Sequence, residues 1–212
     1  MTIGEKIKLL VDAEQLQESS HLLKEAIDVL QEFAHQKKQS EIADISISIS
    51  LIVLNELSLG TESILSVLLK TPFENNYINK ENFKSVFGEN VELLINDLIK
   101  LDKLDRSKYT SNAENFIKLI LTLSSDIRIV LLTLAKSMYE MRHYDQYSDE
   151  EKKIILGECK HLYVPISHRL GLYRIKTELE DLVMKYSLPE TYQQIEQKLK
   201  ETQADRDQYI RH

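Results

Sequence analysis

Two imidazoles, His161 and His168, lie seven residues apart, a spacing that sets side chains on one face of a helix, about two turns apart. Imidazoles so placed can begin a transition-metal site. Pro165 falls between them and no third ligand is evident, so both read as structural or surface groups. The remaining histidines, His21, His35, His143 and His212, show no ligand spacing. Cys159 is the only cysteine, and nothing beside it would lower its pKa to make a nucleophile. HExxH, Walker, GxSxG and GxGxxG patterns are all missing. Short motifs and spacing name no reaction.

Composition narrows the class. The 212 residues include 5 glycines and 3 prolines, about a third of average usage. That deficit argues against a turn-rich β fold and against disorder. A chain of this length buries roughly 70–75% of its unfolded surface, so it needs neither disulfide nor metal staple. A net charge of −7 is the wrong sign for coating nucleic acid, whose affinity comes from neutralised phosphates; no direct DNA binding is expected. No apolar run approaches the ~18 residues of a membrane span. The acid-bearing start MTIGEKIKLLVDAEQ has no signal-peptide cleavage pattern. With one cysteine the expected compartment is the reducing cytoplasm.

The elements available are helices, and the fold class is all-α. Residues 3–36 give one or two amphipathic helices, with Ser19–Ser20 as break and N-cap. In 40–59 the run Ile45-Ser-Ile-Ser-Ile-Ser-Leu51 alternates as a strand would, while Ile42, Ile45, Ile49 and Ile52 follow helical spacing. No strand partner exists elsewhere, so the segment reads as helix, closed by Gly60 as C-cap. Thr61 caps a short helix that Pro72 ends. Asn79 opens a helix closed by Gly88, and 89–101 form the next. The polar stretch 102–112 reads as a loop. A long stripe over 113–143, divisible at Ser124-Ser125-Asp126, supplies the domain centre. Ser148-Asp-Glu-Glu151 is a capping box, Pro165 kinks or breaks the following helix, and Gly171 closes it. Helices over 174–186 and from Pro189 to about 205 or to the end complete the chain. Any boundary falls at 144–149, dividing residues 1–147 from a helical extension, 148–212.

The stretch Cys159-Lys-His-Leu-Tyr-Val-Pro-Ile-Ser-His-Arg-Leu-Gly-Leu-Tyr-Arg-Ile-Lys-Thr-Glu-Leu-Glu-Asp181 resembles the RelA/SpoT family of (p)ppGpp synthetase/hydrolases. The family pattern there is E-T-L-x-I-Y-A-P-L-A-x-R-L-G-I-x-x-I-K-x-E-L-E-D-L. Glu158, Tyr163, Pro165, Arg169, Gly171, Lys176, Glu178 and Asp181 match it. Upstream, Val86-Phe-Gly88 with Val91 is similar to F-G-x-x-V. Leu98-Ile-Lys-Leu101 is similar to V-T-K-L, Ser125-Asp-Ile-Arg128 to D-I-R, and Leu134–Arg142 to L-A-D-R-L-H-N-M-R. The resemblance covers roughly residues 30–205. It implies an HD-type helical bundle, followed by a C-terminal helical trio. In active members this region is a manganese-dependent hydrolase that removes the 3′-pyrophosphate of (p)ppGpp.

The departures fall on the chemistry. The positions of the family's metal ligands hold Ser46, Lys70, Thr71 and Lys136. Its water-handling Glu-Asp pair is Glu74–Asn75, and its H-N before M-R is Tyr139–Glu140. Realignment restores nothing, because residues 38–82 contain no histidine and Asp44 is their only aspartate. Two ammonium groups at ligand positions would repel a divalent ion, so no cofactor is expected. Charge pairs with Glu74 and Glu140, each four residues on, are expected to fill the former metal site. The resemblance also marks Lys100, Arg128, Tyr139 and Arg142 as a relict nucleotide pocket. It marks Arg169, Arg174, Lys176, Glu178 and Asp181 as an interdomain surface. The expected function is a catalytically inactive, hydrolase-like regulatory domain of a GTP pyrophosphokinase in the stringent response. Its expected partner is a synthetase domain in cis beyond His212, with a guanine nucleotide as a further ligand. Two other readings stand beside it: a free-standing helical module that binds nucleotide or protein, and an active (p)ppGpp 3′-pyrophosphohydrolase.

Overall fold

The structure, a computed structural model, describes residues 1–104, 113–123 and 126–210. Among the described residues there is no strand, and helices carry nearly the whole chain. None of those helices is long and apolar enough to cross a membrane. The chain falls into two compact units that, apart from Ala113 at the start of the seventh helix, which belongs with the second, divide between Tyr139 and Glu140. The polar 144–149 stretch lies about a turn further on.

The first unit contains α1 (Ile3–Val11), α2 (Ser20–Lys37), α3 (Ser40–Asn55), α4 (Thr61–Glu74), α5 (Lys80–Phe87), α6 (Glu89–Asp102), α7 (Ala113–Leu123) and most of α8 (Arg128–Arg142). At its centre α4 packs against α2, α3 and α6. The core they enclose includes Leu23, Leu30, Phe33, Ile47, Ile64, Leu68, Ile95 and Met138, each essentially sealed from water.

The alternating segment is helical for a local reason. Ser48 Oγ donates to the Asp44 carbonyl at 2.7 Å, and Ser50 Oγ to the Ser46 carbonyl at 2.8 Å. Both hydroxyls are satisfied within their own helix, so Ser50 is buried and Ser48 half-buried with their polar atoms paired.

Three expected termini move. Gly60 does not close α3: Glu56 caps it, and the reversal is made at Ser58, in the left-handed region at φ 52°. Gly60, extended at φ −80°, is the N-cap of α4, so Thr61 is the first residue inside that helix and not its cap. Pro72 does not end α4, which runs on to Glu74. Proline forfeits one N–H and clashes with the preceding turn. Here it sits in the last turn, and burial of Pro72 with Phe73 holds the helix in register.

Asn79 and Gly88 bracket α5 as expected. Asn79 accepts from the Glu81 amide at 2.9 Å, and Gly88 takes φ 95°. Ser124 and Ser125, the expected divider of the long stripe, lie outside the described residues, as does most of the 102–112 stretch. Asp126 begins a charged tie beyond them. Arg128 reaches Asp126 at 2.6 Å and Glu62 of α4 at 2.7 Å, while Asn90 of α6 donates to Glu62 at 2.8 Å. The guanidinium's hydrogen bonds hold both carboxyls below their ordinary range.

A carboxyl with a depressed pKa when folded lends stability above its unfolded pKa, about 4, and loses it as pH falls through the folded value. Arg128→Met should therefore cost about 1 kcal/mol at pH 7, after allowance for the pairs' partial exposure. The difference from the parent should shrink at pH 3. Urea melts of both proteins at the two pH values check this.

The second unit holds the end of α8, then α9 (Asp149–Glu158), α10 (Val164–Arg169), α11 (Tyr173–Ser187) and α12 (Pro189–Ile210). The Ser148–Glu151 capping box is formed in both directions. Cys159–Tyr163 makes one π-helical turn into α10. Pro165 lacks the N–H that would continue the α ladder, and a wide turn absorbs the mismatch. Gly171 turns the chain at φ 73°, and α11 buries Ile175 and Leu179.

Candidate functional site

Four helices of the first unit each place a polar side chain on one cavity of about 250 Å³. Ser46 comes from α3, Lys70 and Thr71 from α4, Asp102 from the last residue of α6, and Thr133 and Lys136 from α8. Ile45, Ile49, Leu98 and Leu132 supply apolar wall. The four positions singled out in the sequence, Ser46, Lys70, Thr71 and Lys136, thus share one lining. The lining offers two ammonium groups, one carboxylate and no imidazole.

Asp102 organises the charges. Its carboxylate lies 2.7 Å from Lys70 Nζ and 3.6 Å from Lys136 Nζ. Lys70 also meets Glu74 at 3.2 Å, the i,i+4 partner expected from spacing. Asp102 was not anticipated, since it stands far from both lysines in the chain. One local signal existed. An acid in the final turn of α6 faces the negative end of the helix dipole, where it is disfavoured unless a cation is close. Burial pulls the Lys70 pKa down, but the attraction of Asp102 and Glu74 outweighs it, and the ammonium is held above its ordinary value.

The other sequence-marked residues are elsewhere. Asn75 turns its amide back onto the Thr71 carbonyl at 2.9 Å, closing α4. Lys100 is exposed and pairs with Asp97 at 2.8 Å. Arg128 is engaged by Asp126 and Glu62. Tyr139 is buried, and burial, then Asp44 and Glu41, raises its pKa. None of these three lines the cavity.

Arg142 belongs to the second unit. There it grips Glu178 of α11 in a two-point pair, Nε to Oε1 at 2.6 Å and Nη2 to Oε2 at 2.8 Å. The sequence had assigned these two residues to different surfaces. Lys176 pairs along its own helix with Glu180 at 2.9 Å. Arg169, Arg174 and Asp181 are exposed. His161 and His168 are exposed on either side of Pro165, and Cys159 is buried. Among the described residues, no three His, Cys, Asp or Glu side chains gather as a metal-binding group.

The HD domain family matches residues 13–173, a span that includes every polar residue of the cavity. A GTP pyrophosphokinase of Myxococcus xanthus is 36% identical over 162 residues, 74% of this chain and 21% of its own length. A guanosine-3′,5′-bis(diphosphate) 3′-pyrophosphohydrolase of Aquifex aeolicus is 36% identical over 159 residues, 74% of this chain and 22% of its own. The bifunctional (p)ppGpp synthase/hydrolase SpoT of Escherichia coli is 33% identical, with 74% and 23% covered. The chain spans about a fifth of the length of these curated relatives. The domain match leads to one assignment: the chain belongs to the HD domain family, and over 74% of its length it is similar to members of the RelA/SpoT family.

Proposed function

We propose that this chain is a (p)ppGpp-hydrolase-like regulatory domain that performs no hydrolysis and serves a GTP pyrophosphokinase in cytoplasmic guanosine tetraphosphate metabolism. The observation that carries this reading is the convergence of Lys70 and Lys136 on Asp102. A manganese ion needs several imidazole or carboxylate donors. Here the single carboxylate of the lining is held by two ammonium groups, which repel a cation and have no lone pair to donate while protonated. The donor set does not fit that ion, so no water-activating step is assigned to it.

The test is incubation of the chain with (p)ppGpp and manganese, followed by assay of pyrophosphate release. The expected rate equals that of the blank. Turnover abolished by a chelator would favour the second reading, an active 3′-pyrophosphohydrolase. That alternative draws on the relatives whose names carry this activity.

The partner proposed is a pyrophosphokinase domain in the same polypeptide. The surface proposed to meet it is the exposed part of the best-matched segment, Arg169, Arg174 and Asp181, beside Lys176 and Glu178. Regulation through it requires different contacts with two states of the partner. In a polypeptide that carries the pyrophosphokinase, Arg174→Glu with Asp181→Lys should change (p)ppGpp synthesis severalfold, with unchanged circular dichroism. An unchanged synthesis rate would remove this surface from the proposal.

A further inference from the structure

We propose that α1 is a detachable strap. Docked, it holds α3 in place; released, it loosens the cavity wall that α3 supplies. Its role as a strap is independent of what the cavity accepts.

Three observations carry it. The first is how little of α1 is embedded. Of its nine residues only Leu10 is buried, whereas α2 buries Leu23, Ala26, Ile27, Leu30, Phe33 and Ala34. A helix this short is marginal in water, where about 12–15 residues are needed for one to stand alone. α1 is therefore helical because it is docked, and undocking and unwinding are one local event.

The second is the tie to α3. The Lys6 side chain is 15% exposed. Its Nζ donates to both carboxylate oxygens of Asp44, at 2.7 and 2.8 Å, and to Ser48 Oγ at 2.9 Å. An ammonium has three donors, so this one is wholly committed to α3. The tie is also reversible. When α1 leaves, Lys6 returns to water, and Asp44, 40% exposed while paired, rehydrates in place. No charge is stranded in the interior, which is the penalty that makes a fully buried pair hard to open.

Placement is the third. Asp44 and Ser48 stand one turn apart on α3, and their neighbours Ile45, Ser46 and Ile49 line the cavity. One helix thus presents one face to α1 and the next to the cavity, so slack on the first face reaches the second. Just beyond α1, Leu16 is 1% exposed and stays anchored while the chain before it swings. The HD domain match begins at residue 13; the strap lies outside the domain whose cavity wall it steadies.

The experiment is hydrogen exchange of the 212-residue chain, read by mass spectrometry of its peptides. In the parent, α1 amides should be at least tenfold less protected than those of α2 and α4. Lys6→Met keeps the aliphatic stem and removes the charge. It should speed α1 exchange about tenfold, the worth of a tie between an exposed pair and a buried one. Exchange of residues 44–50 should rise severalfold with it, and that of α6 should not change. Asp44→Asn, at a partly exposed position, should give the same pattern and serves if Lys6→Met fails to fold. Lys8→Met, on the exposed side of α1, should change nothing.

Two results would each overturn the proposal. If α1 exchanges in step with α2 and α4 in the parent, it is part of the cooperative core and not a strap. If Lys6→Met or Asp44→Asn frees α1 while residues 44–50 keep their protection, α1 does not steady the cavity wall.

Discussion

Asp102→Ala is expected to lower the unfolding free energy of the first unit by about 2 kcal/mol. That value lies between an exposed pair at 0–1 and a buried one broken on one side at 3–5. Asp102 is 28% and Lys70 21% exposed, so neither limit applies. The cost has two parts: a lost charge-assisted hydrogen bond, and two ammonium groups left facing one cavity. The second part identifies the effect, because it vanishes when a lysine is also removed. In a Lys70→Met background, the same aspartate substitution should cost about 1 kcal/mol less. Lys70 is held above its ordinary pKa, so its contribution is fully present below the unfolded lysine value near 10.4. It disappears only as pH rises through the folded value, and the cycle can be run at pH 7. Chemical denaturation of the four proteins supplies the numbers. A strictly additive cycle would mean that Asp102 does not organise these charges.

The second large effect is a gain. Ser46→His, Lys70→His, Thr71→Asp and Lys136→Asp, made together, should turn the cavity into a manganese site. All four side chains start from one lining, and removal of both lysines frees Asp102 as a further carboxylate donor. Because only the folded chain would bind, manganese at a hundred times its dissociation constant should stabilise the variant by about 2.7 kcal/mol. The parent should show no such shift. Thermal melts with and without manganese, with electron paramagnetic resonance of the bound ion, read it out. If the folded variant ignores manganese, these positions do not form the coordination shell that the resemblance implies.

Much of the fold was legible because its signals are local. Asn79, Ser148 and Gly171 act through neighbours a few residues away, and all three function where the sequence put them. Gly60 misled because two helices meet around it and a glycine suits either end. Ser58, which adopts the left-handed turn, carries no sequence mark of that role. Pro72 misled because its rule is local while the burial that overrides it is not.

The site divided along the same line. Lys70–Glu74 follows from one helical turn. Lys70–Asp102 requires α4 and α6 to be packed before it can be seen. Arg142 and Glu178 are 36 positions apart, and no spacing rule relates them. The family resemblance named Ser46, Lys70, Thr71 and Lys136 together, a grouping that periodicity cannot make, and all four line one cavity. Asp102, which pairs with both lysines, was not among the residues that the resemblance singled out.

The π-helical turn has a use beyond the geometry of α10. Its first residue, Cys159, is sealed at 0% exposure and is the only thiol in the chain. It therefore serves as a built-in clock for the second unit. A thiol reagent can reach it only when that unit opens, so the alkylation rate measures local opening without an introduced label. Modification that outpaces global unfolding would mean that the second unit opens while the first stays closed. Matching rates would mean that the two units unfold as one cooperative body. A single buried sulfur thus lets the cooperativity of the whole chain be timed with one reagent and a mass spectrometer.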